Sequence, residues 1–369
     1  MSRSVIRLPL FLILFWLSAC SHLETSQSYD VIVDASGKTP FAFSNLQAAV
    51  DAAPANAARR YRILAKAGRY YEKITINRSN LEIVGEGMDS TLIYFDANAA
   101  EAGHYRDDNR GTPGSATMSI NARDVHIANL TIANTFDFPA NDAKAKDDPS
   151  RVSASQAVAL LLDTASDRVS FDSVAVNGYQ DTLFANGHRA YFYQSHISGN
   201  VDFIFGRGAV VFDQSTITSR PRAKRFPESA IQGYITAAST NIEQDYGLVF
   251  LDCELRRENG VPDKSVTLGR PWHPTTTFDD GRYADPDAIG HAVFIRTYMD
   301  AHISPEGWSS MSGTARDGTK SRVFTPGESR FYEHRNFGPG AATNSQRPQL
   351  SDAEAAQYTR ENIFAEWRP

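Results

Sequence analysis

Short apolar runs recur along most of this chain, and their spacing constrains the fold more than any other feature. They begin at Leu81, Val125, Val169, Tyr191, Val210, Leu248 and Val293. Successive starts differ by 44, 44, 22, 19, 38 and 45 residues, mostly close to one or two units of about 22. A unit of that length is one turn of a parallel β-solenoid, in which each coil buries its apolar side chains by stacking on the next. A β-sandwich also has regularly recurring strands and is the structural competitor; the near-multiples of 22 favour the solenoid. A length of 369 residues suggests two or three compact domains, but an elongated repeat absorbs it as one. We expect one all-β domain over residues 29–369. Leu46 to Ala53 reads as a short amphipathic helix that caps the first coil. Ser351-Asp352-Ala353-Glu354 is a capping-box sequence, predicting a helix through Ile363 that packs back along the solenoid.

The first residues read differently. Arg3 and Arg7 precede the apolar run Leu8 to Leu17, which is too short to span a bilayer but suits the core of a signal peptide. Leu17-Ser18-Ala19-Cys20 has the form of a lipobox, predicting cleavage after residue 19, lipidation of Cys20 and a short tether over residues 20–28. Acyl chains would hold the protein at a membrane. Ser21 after the cysteine points to a bacterial outer membrane. Removing residues 1–19 takes away two arginines and no acid, shifting the net charge from −6 to −8. An acidic chain with pI near 5.9 is a poor partner for nucleic acid. Nothing in the sequence demands a dimer, so a monomer is expected.

Two carboxylates stand out against this background. Gly178-Tyr179-Gln180-Asp181-Thr182-Leu183-Phe184 and Val201-Asp202-Phe203-Ile204-Phe205-Gly206 each set one aspartate among apolar and aromatic residues, 21 residues apart. One coil apart, with coils about 4.8 Å apart, the two side chains would sit next to each other. Carboxylates that close do not both ionise freely, so one keeps its proton while the other stays charged. That is the arrangement acid/base or nucleophilic work requires. The competing reading is two ordinary turn aspartates. Strict strand alternation would put Asp202 and Phe205 on opposite faces, so both reach one groove only if the chain bends between them. Polar stretches at Ala99 to Ser115, Ala140 to Ser155, Arg220 to Arg225 and Trp272 to Gly290 interrupt the rhythm and would wall a groove. The basic Arg220-Pro221-Arg222-Ala223-Lys224-Arg225 reads first as a solvated face, second as a polyanion contact. There is no Gly-x-Ser-x-Gly elbow, no His-Glu-x-x-His, no cysteine pair with zinc spacing and no phosphate-binding glycine loop. No metal or cofactor is expected.

Five segments in order resemble the pectin methylesterases, or pectinesterases, of carbohydrate esterase family 8: Gly68-Arg69-Tyr70-Tyr71-Glu72, Gln156-Ala157-Val158-Ala159-Leu160, Gly178 to Leu183, Asp202 to Gly206, and Leu268-Gly269-Arg270-Pro271-Trp272. Gly111-Thr112 with Ser115-Ala116-Thr117 fits a sixth. The resemblance implies a single-stranded right-handed parallel β-helix and a substrate of methyl-esterified pectin or oligogalacturonate. It also implies roles: Asp202 as nucleophile, Arg270 as the cation that keeps it charged, and Asp181 as general acid and then base. Gln156 and Gln180 would donate to the oxyanion, the alternative being a stacked amide ladder. Trp272, Phe205, Phe184, Thr112 and Met311 would line the sugar groove, with core packing the alternative for Phe184 and Met311. Leu161 and Phe184 stand where a tyrosine is usual, each change removing a hydroxyl from the cleft. Ser195 and Ser215 stand where some secreted members carry cysteines. A polygalacturonan-cleaving enzyme, a carbohydrate-binding lipoprotein and an esterase or thioesterase on another substrate remain as alternatives.

Overall fold

The computed structural model describes residues 28–104 and 110–369. The signal-peptide and Cys20 readings lie outside them. Among the described residues no helix is long and apolar enough to cross a membrane. The chain is a parallel β-helix. A 16-stranded sheet runs its length, and a 7-stranded sheet faces it in the order Val266–Gly269, Gly233–Ala238, Val201–Gly206, Leu183–Ala185, Leu160–Leu162, Met118–Ile120, Ile74–Ile76.

Register shows how the coils stack. Leu81 pairs with Val125, Val125 with Val169, Val169 with Ala190, Ala190 with Val210, Val210 with Leu248 and Leu248 with Ala292. A spacing of 44 is therefore one coil carrying a long excursion, not two coils. The runs beginning at Tyr191 and Val293 start one residue late. Ala190 and Ala292 hold the inward positions there, and the larger outward neighbours mask them.

Two residues further along the same coils, an interior ladder runs Ile83, Ile127, Phe171, Phe192, Phe212, Phe250 and Phe294. Its five phenylalanine rings stack at centroid distances of 4.2, 5.0, 4.6 and 4.3 Å. All are fully buried, and each contributes about 1.5–3 kcal/mol of burial.

The first coil is capped. The helix Leu46–Asp51 buries Leu46, Ala49 and Val50 against the first coils, and the Asn45 side chain caps it. Glu72, from the Gly68–Glu72 segment, accepts the N–H groups of Leu46 (2.9 Å) and Gln47 (3.0 Å). A carboxylate there suits the positive end of a helix. The C-terminal segment packs on the outer face of the larger sheet through Ile363 and Phe364, as expected. It is not one helix. The capping box of Ser351 and Glu354 opens Asp352–Ala355, which stops, and Thr359 caps a second helix, Arg360–Phe364. The break lets Tyr358 pack edge-on to Tyr246 at 5.6 Å and hydrogen-bond His291. Two antiparallel hairpins also form, Thr275–Phe278 with Gly281–Ala284 inside the expected Trp272 to Gly290 loop, and Met311–Gly313 with Arg322–Phe324.

Candidate active site

The outer face of the smaller sheet carries an apolar floor. Leu160, Leu162, Leu183, Ala185 and Ile204 point into the core, whereas Leu161, Phe184 and Phe205 point outward and form a separate cluster with Ala116, Val158 and Ala237. Pairing puts Leu161, Phe184 and Phe205 in register on adjacent strands. Phe184 and Phe205 stack at 4.2 Å, and the half-buried Trp272 meets their edges at 5.9 and 5.5 Å. Leu161 is fully buried within this floor.

Above the floor is a cavity of about 490 Å³. Asp202, Asp181, Arg270, Gln180, Gln156, Trp272, Phe205, Phe184, Thr112 and Met311 all line it, together with Arg110, Pro113 and Ala237. Neighbouring coils hold the two aspartates in equivalent places. Gln180 bridges to Val201, and the Asp181 N–H donates to the Val201 carbonyl at 3.0 Å. Both aspartates adopt left-handed backbone, φ 62° at Asp181 and 50° at Asp202. This is the bend that alternation required. The turn at Asp202 sends Phe203 and Ile204 into the core, while Asp202 and Phe205 both face the cavity.

Arg270 comes from the end of the strand Val266–Gly269. Its Nε donates to Asp202 Oδ1 at 2.8 Å and its Nη2 to Oδ2 at 2.6 Å, a bidentate pair. Its guanidinium also lies 3.9 Å from the centroid of the Tyr234 ring. Burial works against the charge on Arg270, but the pair with Asp202 outweighs it and raises its pKa. Gly269 permits this approach, because a Cβ there would fall 2.0 Å from Thr236 Oγ1. The N–H groups of Arg270 and Trp272 donate to the carbonyls of Thr236 (3.0 Å) and Ala238 (3.1 Å), which fixes both side chains over the cavity.

Asp181 differs electrostatically. Desolvation first, then the charge of Asp202, push its carboxyl well above the usual carboxylate range, with Arg270 opposing them. One carboxyl is thus clamped in an ion pair and its neighbour favours keeping a proton. Gln180 accepts from the Ser155 hydroxyl at Oε1 (3.1 Å), which leaves its amide N–H groups as donors. Backbone joins the segments: the Ala157 N–H donates to the Gln180 carbonyl at 3.2 Å, and the Val158 N–H to Ser115 Oγ at 3.1 Å.

The model of the family described as "Pectinesterase" matches residues 30–366. The chain belongs to the pectinesterase family. Members of this family are carboxylic ester hydrolases, and this chain is one of them. It is 44% identical to pectinesterase A of Dickeya chrysanthemi over 94% of this chain and 93% of that protein. Among solved structures it superposes on pectin methylesterase PemA from Erwinia chrysanthemi with a TM-score of 0.88, at 44% identity over 93% of this chain and 99% of that one. The pectin methylesterase from Yersinia enterocolitica gives a TM-score of 0.83 at 46% identity, over 89% and 100% of the two chains. A crystal structure of a pectin methylesterase in complex with a hexasaccharide matches with a TM-score of 0.88 at 44% identity, over 93% and 99%.

Sequence reasoning missed four neighbours of this pectinesterase site. Tyr234 carries a signal, since it sits one coil beyond Val201 in register. Ala237 pairs with Phe205 in the same way. Arg110, whose Nη1 donates to Asp163 Oδ2 at 2.6 Å, and Pro113 lie in a polar loop with no periodic signal. A second cavity, about 470 Å³, lies against the larger sheet and the C-terminal segment. Its prominent polar groups are paired, Arg168 with Asp124 and Tyr191 with Asp213. Ser195 and Ser215 lie on adjacent coils, where the Ser195 N–H donates to Ser215 Oγ at 3.1 Å.

Proposed function

We propose that this protein hydrolyses the methyl esters of galacturonate units in pectin or oligogalacturonates, releasing methanol. The observation that carries this reading is the electrostatic split between Asp202, paired with Arg270, and Asp181, pushed toward its protonated form. In the first half-reaction an Asp202 oxygen attacks the ester carbonyl, the bond to the methoxy oxygen breaks, and Asp181 gives its proton to departing methanol. In the second, Asp181 takes a proton from water, the hydroxide attacks the acyl carbon, and Asp202 leaves as carboxylate. Gln156 and Gln180 donate to the oxygen that becomes negative in each tetrahedral intermediate; loss of one such donor costs about 10²–10³ in rate. Phe184, Phe205 and Trp272 offer aromatic faces to the pyranose rings. The hexasaccharide complex of the 44%-identical pectin methylesterase supports an oligosaccharide substrate here too.

The test is methanol release from highly methylated pectin and from methylated oligogalacturonates, comparing wild type with Asp202→Ala. Methanol from wild type and a loss of at least about 10³-fold in the folded variant are expected. A folded wild-type protein that releases none from either substrate refutes the pectin reading and moves attention to other esters and thioesters.

A further inference from the structure

The basic segment Arg220 to Arg225 has no part in the chemistry above; Lys224 and Arg225 are exposed, as a solvated face would be, but Arg220 and Arg222 are not. The side chain of Arg220 is 23% exposed and that of Arg222 is 13% exposed. Arg222 donates to both oxygens of Asp142, at 2.9 and 2.7 Å, and the N–H groups of Ala223 and Lys224 donate to the same carboxylate. Asp142 ends the short helix Phe138–Asp142 in the wall that leads to Gln156. Arg220 reaches the other way. Its Nη1 donates to the Gly178 carbonyl at 3.0 Å, and its guanidinium carbon lies over the Tyr179 ring, 3.9 Å from the centroid. Tyr179 also stacks on Phe138 at 5.6 Å. Glu258 accepts from Arg220 Nε at 3.1 Å, and the Arg220 N–H is anchored on the Gly199 carbonyl at 2.7 Å.

We infer that Arg220 is a positioning residue that holds the Gly178–Asp181 turn, and with it Gln180 and Asp181, at the distance from Asp202 that the reaction needs. Most other main-chain anchors of this turn come from backbone of the adjacent coils, with the Thr182 hydroxyl also donating to the Tyr179 carbonyl at 3.3 Å. The Gly178 N–H goes to the Ser198 carbonyl, the Tyr179 carbonyl accepts from Asn200, the Gln180 carbonyl from Ala157, and the Asp181 N–H goes to Val201. The Gly178 carbonyl, which leads into the turn, is held by a side chain. Asp181 follows three residues later in left-handed backbone, a strained conformation for a non-glycine residue. A turn under that strain relaxes when an anchor is lost. The Arg220–Tyr179–Phe138 stack therefore couples one wall of the groove to the placement of the proton donor. A displacement near 1 Å at such a group costs up to about 10²-fold in rate.

This inference rests on the assignment of Asp181 as acid and base, and the test separates the two. Wild type, Arg220→Ala, Arg220→Lys, Asp181→Asn and, as a control, Arg256→Ala are compared on methylated oligogalacturonate across pH, with Tm for each. Arg256 makes a similar stack 4.1 Å from the Tyr298 ring on a coil edge outside the cavity, so its loss should leave kcat unchanged. Arg220→Ala is expected to lower kcat about 10–100-fold, with KM changed less than about threefold. Its alkaline limb should move to lower pH, because a loosened turn admits water to Asp181 and weakens the desolvation that keeps it protonated. Arg220→Lys, which retains a donor and a charge but not the guanidinium, should recover part of the loss. Unchanged kcat and an unmoved alkaline limb in folded Arg220→Ala overturn the inference, as does a loss that follows Tm alone. Should Arg220→Ala fail to fold, Arg220→Lys decides by the same limb. If Asp181→Asn keeps wild-type activity, it is the acid/base assignment that falls, whatever Arg220 does.

Discussion

At two corners of the solenoid, left-handed backbone serves different ends. Along the bend of the larger sheet, seven successive coils put a non-glycine residue with positive φ at the same register position: Asn129, Ser173, Gln194, Gln214, Asp252, Arg296 and Arg335. In six of them the next residue, from Leu130 to Thr297, is buried. Beside the smaller sheet Asp181 and Asp202 do the same, and Thr182 and Phe203 after them are buried as well. The turn has one effect in both places. It shifts the parity of the strand, sends the following side chain inward and leaves its own side chain outward. At the bend any polar residue serves, because the outward side chain meets solvent or a neighbour such as the Arg296–Asp252 pair. At the groove that side chain meets the substrate space, and both positions are aspartate. Backbone strain of this kind tends to gather where function uses it; here the same device also builds the scaffold.

Three expected outcomes sharpen this comparison. The largest is in activity. Asp181→Asn should lose at least about 10³ in kcat on methyl esters, whereas Asp252→Asn at the bend should lose none. The second is in stability against pH. Because the folded-state pKa of Asp181 is raised, the folded protein binds a proton that the unfolded chain releases near pH 4. Stability on this account is full at lower pH and falls as pH climbs through the raised pKa. Asp181→Asn should therefore match the wild-type Tm in acid and exceed it at pH 8; equal values at pH 8 would contradict the shift. The smallest is at the bend. Gln214→Gly relieves the left-handed cost and should stabilise by up to about 1 kcal/mol, after the greater entropy glycine loses on folding. Denaturant unfolding measures it, with methanol release unchanged.

The same turns explain what the sequence did and did not disclose. Coil stacking was legible because inward apolar positions repeat, and the spacing of Asp181 and Asp202 was legible because 21 residues is one coil on the short stretch between them. The later ladder slipped by one residue because alanines at 190 and 292 look unremarkable beside Tyr191 and Val293. Parity shifts were illegible where Ser173, Gln194 and Arg296 hold left-handed backbone, since these residue types do not advertise it as glycine or asparagine would. The roles of Arg220 and Tyr234 were hidden because they depend on contacts across coils, Gly178 to Arg220 and Arg270 to Tyr234, that no local pattern records. The C-terminal capping box was read correctly, but the end of its helix was set by where Tyr358 had to pack.

The division of labour between the two strained aspartates can be tested on an activated ester. A 4-nitrophenyl ester of a galacturonate oligomer needs no acid to expel its leaving group, so Asp181→Asn should still be acylated but should not hydrolyse the product quickly. Rapid mixing should show a burst of nitrophenolate close to one equivalent per enzyme. Mass spectrometry after acid quench should then place the acyl group on Asp202, within Val201–Gly206. Steady release with no burst, or an adduct on any other residue, would contradict Asp202 as the nucleophile.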